Sequence, residues 1–157
     1  YISKLQAPTT ISATEVVAAS VYTAAGPSIA NTGENLVTFV SKDYDTHNAY
    51  NTSTGQFTCP ASGIYTVSTI LTFSSSLYAV ANGVYASVYK NGANQKRGLV
   101  QSAMAAVSVQ IGTTMSADIQ CNAGDTLEVR VTNGRTAGAT TLTASQTENW
   151  ATFKRIK

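Results

Sequence analysis

Charge is scarce in this chain. Only 11% of its 157 residues are Asp, Glu, Lys or Arg, against about 25% in an average soluble domain. The polar surface must therefore come from Thr, Ser, Asn and Gln, and abundant Thr favours half-buried strands. A net charge of +2 is too small for a nucleic-acid footprint, and no basic stripe runs along the chain. The one cluster, Lys154, Arg155 and Lys157, reads as the solvated end of a last strand. No apolar stretch approaches the ~20 residues that a membrane helix needs. No charged-then-apolar leader stands at the start. The chain opens at Tyr1, as a trimmed fragment would, so the missing leader says little about location.

Catalytic equipment is also missing. There is one histidine, His47. No Gly-x-Ser-x-Gly elbow, Walker loop, His-Glu-x-x-His or Cys-x-x-Cys is present. His47 with Cys59 is the one conceivable nucleophile pair, and no third group is there to orient it. A non-enzymatic domain is expected, with no resident cofactor. Two cysteines, Cys59 and Cys121, do not make a disulfide framework; free buried thiols are favoured over a bridge.

What is present is strand pattern. The length suits one domain that removes roughly two thirds of its unfolded surface from water. Residues 1–15 are polar and Pro-interrupted, a lead-in or stalk end; residues 16–157 form the globular part. Residues 16–22 read as a first strand, 24–35 as a loop punctuated by Gly-Pro and Asn-Thr-Gly, and Leu36–Val40 as a second strand. After Gly63, Tyr65, Val67, Thr69, Leu71 and Phe73 share one face, with Ile64, Thr66, Ser68, Ile70 and Thr72 opposite. Both faces carry apolar residues, so both are expected to be covered, one of them by a neighbouring subunit. Ser74–Ser76 should end this strand. Val84, Ala86 and Val88 alternate with Tyr85, Ser87 and Tyr89, and Asn91-Gly92 is the strongest hairpin signal in the chain. Strands follow at 95–102 and 105–111, with a turn or bulge at Gly112. Met115, Ala117, Ile119 and Cys121 line the next strand. Asn122–Asp125 turns the chain, and Leu127, Val129 and Val131 return it with Glu128 and Arg130 outward. Residues 133–147 form a long polar loop with a weak strand at Thr140–Thr143, and residues 149–156 close the domain. Nine or ten short, evenly spaced strands and no clear helix argue an all-β sandwich or jelly roll.

The stretch from Phe39 to Phe73 organises the rest. Asp43, Asp45, Asn48, Asn51, Ser53 and Gly55 supply turn chemistry, and Tyr50, Phe57 and Tyr65 are rings able to anchor that corner in a core. Phe39, Asp45, Tyr50, Phe57, Gly63 and Tyr65 fall at the intervals of the signature of the C1q/TNF-like jelly rolls, and the stretch resembles that family. Cys59-Pro60, Tyr89-Lys90-Asn91-Gly92 and the Ala123–Val129 run agree with it. The family favours aromatics where this chain has Val67 and Thr69. The resemblance covers roughly residues 16–156 and implies a two-sheet jelly-roll sandwich of about ten strands that assembles as a homotrimer. Strand 63–73, Leu127–Val131 and the last strand are the expected contributors to subunit contact.

Function is less legible. Asp43, Asp45 and His47 alternate, so the two carboxylates are a weak calcium candidate; a solvated turn capped by Asp45 is the plainer reading. Tyr22, Tyr44, Tyr78, Tyr85 and Tyr89 cannot all be core. Of these, Tyr78, Tyr85 and Tyr89 are candidate ligand contacts, since tyrosine gives rigid area with a polar tip; ordinary strand-face or subunit-interface tyrosines are the alternative. The low-charge texture and the ending WATFKRIK resemble C1q-like heads of bacteriophage or bacterial fibres. That implies a virion-surface or extracellular knob that attaches to a host glycan or protein receptor, without nucleic acid or membrane insertion. A purely structural trimerisation cap or capsid decoration, and a secreted animal C1q-like recognition protein, are the alternatives.

Overall fold

Period-two alternation of apolar and hydroxyl side chains gives this chain strands, and the fold follows from pairing them. A computed structural model describes residues 15–104 and 106–156; the expected lead-in, apart from Glu15, lies outside them. The strands are β1 (Ala18–Tyr22), β2 (Ser28–Ile29), β3 (Glu34–Leu36), β4 (Ser41–Asp45), β5 (Tyr50–Asn51), β6 (Gln56–Thr58), β7 (Gly63–Tyr78), β8 (Gly83–Lys90), β9 (Ala93–Arg97), β10 (Gln101–Ser102), β11 (Val107–Cys121), β12 (Thr126–Asn133), β13 (Thr140–Thr141) and β14 (Asn149–Arg155). No helix occurs among the described residues. One sheet runs β11-β7-β14-β1-β4. The other runs β10-β8-β12-β6-β5, with β3 beside β12 and β9 beside β8, and β13 pairs β2. Every pairing is antiparallel.

The core lies between the two sheets. Tyr65, Val67, Leu71, Phe73, Ala151 and Phe153 from the first meet Val84, Ala86, Val88, Leu127, Val129 and Val131 from the second. The alternation read in β7, β8 and β12 therefore gives the correct inward face. The Asn91-Gly92 hairpin joins β8 to β9 with φ of 51° and 77°, the double positive φ of a type I′ turn that Asn-Gly tolerates. Leu127, Val129 and Val131 are buried in their own domain, so of the run expected at a subunit contact only Arg130 is left partly exposed.

Three other expectations change. Leu36–Val40 is not one strand: β3 ends at Leu36, and residues 37–40 carry the chain from the seven-stranded to the five-stranded sheet, burying Phe39 on the way. Ser74–Ser76 does not end β7, because those serines are held by a neighbour. Ser74 Oγ donates to the Leu142 carbonyl at 3.2 Å, and Ser76 Oγ meets Thr140 Oγ1 at 2.6 Å. The strands read at 105–111 and 115–121 are one strand, β11, running straight through Gly112. A Cβ there would sit 3.3 Å from the Leu71 carbonyl, so this glycine permits close backbone approach instead of a turn.

The β7–β11 ladder contains a register shift between Val109 and Ile111: Ile111 pairs Phe73, but Val109 pairs Ser76. One extra β7 residue is thus accommodated in a bulge. Since side chains alternate with a period of two, a one-residue bulge swaps the faces beyond it. Up to Phe73 the odd-numbered residues point inward; after the bulge Tyr78 does, and it is fully buried. The candidate ligand tyrosine Tyr78 is therefore a core residue. Its hydroxyl finds no hydrogen-bond partner among the described residues. Tyr78→Phe should be neutral or stabilising by up to about 1 kcal/mol, because a desolvated hydroxyl without a partner is removed. Urea unfolding checks this; a loss of stability would show that the hydroxyl is bonded.

Candidate functional site

The 39–65 corner is built by one polar anchor and four rings. Asp45, at the end of β4, accepts from Lys42 Nζ at 2.7 Å and from the backbone N–H groups of Ala49 and Tyr50 at 2.9 and 3.0 Å. Burial, the largest single influence, raises its carboxyl; the Lys42 ammonium and the two amides outweigh that and hold it below the usual range. The Phe39 N–H donates to the Tyr50 hydroxyl at 3.0 Å, and burial pushes that phenol up to about 12. The Tyr50 ring lies 5.7 Å from Phe153, Phe153 stacks on Phe57 at 4.9 Å and 1°, and Phe57 meets Tyr65 edge-on at 5.8 Å. The Tyr65 hydroxyl closes the group by donating to the Ala61 carbonyl at 2.7 Å. Phe39, Asp45, Tyr50, Phe57 and Tyr65 thus converge in one unit, and Gly63 is the first residue of β7.

The sequence profile of the C1q domain family matches residues 20–153. The chain belongs to the C1q domain family. Curated proteins give no match. Among solved structures, the Eiger TNF of S. frugiperda superposes with a TM-score of 0.65 at 13% identity, over 90% of this chain and 93% of that one. The globular domain of zebrafish complement 1qA protein gives 0.56 at 18% identity, over 88% and 94%. Murine APRIL at pH 5.0 gives 0.64 at 13% identity, over 90% and 100%. At these identities the likeness concerns the fold alone.

Within this C1q domain, Val67 and Thr69 replace family aromatics without leaving a polar orphan. Both are buried, and Thr69 Oγ1 donates to the Trp150 carbonyl at 2.7 Å. Tyr85 and Tyr89 do project outward from β8, as their alternation predicts, but each is engaged. The Arg97 guanidinium lies 4.1 Å above the Tyr85 ring and that of Arg130 lies 4.3 Å above Tyr89, a cation–π arrangement. Between them sits Glu34, brought in by β3. It accepts from Ser87 Oγ at 2.5 Å, from the Tyr89 hydroxyl and from Asn94 Nδ2 at 3.2 Å, with Arg97 Nη2 at 3.8 Å. Beside it Glu128, outward as read but covered, accepts from Gln56 Nε2 at 2.7 Å and Arg130 Nη2 at 2.8 Å. Sequence reasoning missed Glu34, which stood in an apparent loop; only the β3–β12–β8 pairing carries it to the tyrosines.

The other candidates separate. Asp43 accepts from Ser20 Oγ at 2.7 Å across to β1, while Asp45 faces its own turn. His47 bonds Thr46 Oγ1 at 2.8 Å and Glu15 at 3.1 Å, so it does not address Cys59. Among the described residues no three His, Cys, Asp or Glu side chains group as metal ligands do. Cys59 and Cys121 are free and buried. The adjacent Cys121 sulfur and burial push the Cys59 thiol far up. The same contact lowers the Cys121 thiol, so what protects both sulfurs is burial: neither cysteine should react with a thiol reagent in the native protein at pH 8, and both should react in guanidinium. Labelling of the folded protein would contradict this packing.

Glu34 also sets a pH dependence. Burial, the largest influence, raises its carboxyl; Ser87, Tyr89, Asn94 and the Arg97 charge together bring it below the usual range. A carboxyl depressed by folding contributes stability that is present above its unfolded pKa and is lost as pH falls through the folded value. Thermal stability should therefore be level above about pH 5 and decline below it. Glu34→Gln should flatten that decline and lower the melting temperature at pH 7; an unchanged acid limb in this variant would remove Glu34 as its source.

Proposed function

We propose that this C1q domain is the extracellular or virion-borne head of a homotrimeric appendage and attaches it to a host-surface glycan or protein. The observation that carries the attachment reading is the end of the sandwich where the β7–β8, β10–β11 and β12–β13 connections meet. Arg135 ties that end together, donating to the carbonyls of Leu77 at 3.1 Å and Ala139 at 2.8 Å, and Asn82 Nδ2 reaches Thr136 Oγ1 at 3.3 Å. These loops border a hollow of about 230 Å³. Leu77 lines it and is exposed, and Val80 and Met104 are exposed on the β7–β8 and β10–β11 connections, Met104 at 94%. Exposed apolar side chains on connections tied to one another by these bonds are what an interaction site presents.

The trimer reading rests on the outward face of β7 and β11. Ile64 and Ile70 lie among Thr66, Ser68, Ser116 and Thr72, a small-residue face with little charge. Ile70 shares an open hollow with Gln101, which directly follows exposed Leu99 and Val100. Three copies in a ring join unlike surfaces that close on themselves. A specific observation favours the purely structural alternative: Tyr78 is core, and Tyr85 and Tyr89 are tied up by Arg97, Arg130 and Glu34, so none of the three stands free for a ligand.

Multi-angle light scattering at micromolar concentration should give three times the chain mass, and Ile70→Glu should shift it to the monomer. A stable wild-type monomer would overturn the assembly. Binding of the trimer to bacterial cells or glycan arrays tests attachment; blank results with an intact trimer would leave the structural cap.

A further inference from the structure

Three Asn-Gly pairs stand in this chain: Asn82-Gly83, Asn91-Gly92 and Asn133-Gly134. The pair is chemically weak. Glycine has no Cβ to shield its nitrogen, so that nitrogen can attack the side-chain amide carbon of the asparagine before it. All three asparagine side chains are clamped, but two are also walled in. Fully buried Asn133 donates through Nδ2 to the Ile29 carbonyl at 3.2 Å and accepts the Arg135 N–H at 3.2 Å. Its glycine is wedged, since a Cβ on Gly134 would collide with the Gly83 carbonyl. Half-buried Asn82 accepts the Ala79 N–H at 2.8 Å and donates to Thr136 Oγ1 at 3.3 Å. A Cβ on Gly83 would collide with Val100 Cγ1. Asn91 is different. It and Gly92 are exposed, and a Cβ on Gly92 would meet open space. What holds the Asn91 side chain is the turn between β11 and β12. Nδ2 donates to Asp125 Oδ1 at 2.8 Å, and Oδ1 accepts the Thr126 N–H at 2.8 Å. Asp125 is itself aimed by the Asn122 N–H at 2.8 Å, with Lys90 Nζ 3.9 Å away. No packing backs up these bonds, so a local opening of the turn is enough to free the amide carbon.

We propose that Asn91 is a self-modification site of the folded domain, latched by Asp125 and released when that latch opens. The Gly92 nitrogen bonds Asn91 Cγ and gives up its proton. The Cγ–Nδ2 bond breaks, ammonia leaves, and a five-membered imide remains. Water then opens the imide on one side or the other, to aspartate or to isoaspartate, whose main chain runs through Cγ. Water is the only co-reactant. The change is one-way. Either product puts a carboxylate where an amide had donated to Asp125, and neighbouring like charges repel. Isoaspartate also adds an atom to the main chain of a two-residue turn, and the turn length is what fixes the register of β8 on β9. Modification therefore loosens the β8–β9 and β11–β12 turns together. Both lie at the far end of β8 from the loops assigned to attachment.

The whole chain in its native assembly is incubated at pH 8 in heavy-oxygen water, digested, and mapped by mass spectrometry. Labelled aspartate and isoaspartate should form at Asn91 first, with Asn82 and Asn133 silent over the same period. In guanidinium all three should react, and Asn91 faster than in the folded chain. Asp125→Ala removes a charge-assisted bond and should speed Asn91 about tenfold, while Asn82 and Asn133 stay silent. Those two sites report any global loosening, which would release all three together. Asp125→Asn keeps an acceptor for Asn91 Nδ2 and should fall between wild type and Asp125→Ala. Reaction at Asn82 or Asn133 ahead of Asn91 in the folded wild type overturns the proposal. So does a folded Asn91 that reacts as fast as in guanidinium, or one that Asp125→Ala leaves at the wild-type rate. If Asp125→Ala does not fold, the order of the three sites in the wild type and the rate in Asp125→Asn decide.

Discussion

The stack of Phe57 on Phe153 is the contact on which the rest depends. Phe57 belongs to β6 in the seven-stranded sheet and Phe153 to β14 in the five-stranded one. Lying parallel at 4.9 Å, the two rings join the sheets at the corner where the chain crosses between them. Tyr50 and Tyr65 flank the pair and carry hydroxyls that would be costly to bury alone. Each is spent on the backbone of the same corner, Tyr50 on the Phe39 amide and Tyr65 on the Ala61 carbonyl. The same rings therefore supply buried area and satisfy a segment too irregular to pair its own backbone.

Scarcity of charge shapes the surface by the same logic. With only eight acidic residues, the carboxylates that the fold needs are used internally. Asp45 caps its turn, Asp125 accepts from Asn91 and from the Asn122 amide, Asp118 takes Thr66, and Glu34 and Glu128 knit β3, β6, β8 and β12 together. Little ionic chemistry is left for recognition. Beside a few cations such as Lys96, Arg97 and Lys154, what remains exposed is mostly hydroxyls, amides, a few rings and a few aliphatic side chains. Such a surface favours uncharged partners and weakens little with salt, because screening acts on exposed charges.

Much of the architecture was legible in the chain. Alternation in 84–89 and 127–131 names the inward face because a strand has only two faces, and Asn91-Gly92 names its turn because few residue pairs tolerate positive φ twice. The spacing from Phe39 to Tyr65 was readable because those residues meet locally, within one corner. Legibility failed where a distant segment overrode a local preference. Three serines and a glycine look like strand ends, yet β13 and Leu142 hold Ser74 and Ser76 in the ladder, and β7 accepts Gly112 at close range.

The sequence by itself determined an all-β sandwich with a ring-filled corner, since periodicity and turn chemistry act over a few residues. Tertiary structure alone decided which side chains face outward together. One bulge in β7 reversed the faces and put Tyr78 into the core. Pairing across β12 placed Glu34 against Ser87 and Tyr89, residues more than fifty positions away. Pairing of β1 with β14 set Tyr22 opposite Trp150 in the ladder. Register is a property of two strands at once, and no single stretch of chain contains it.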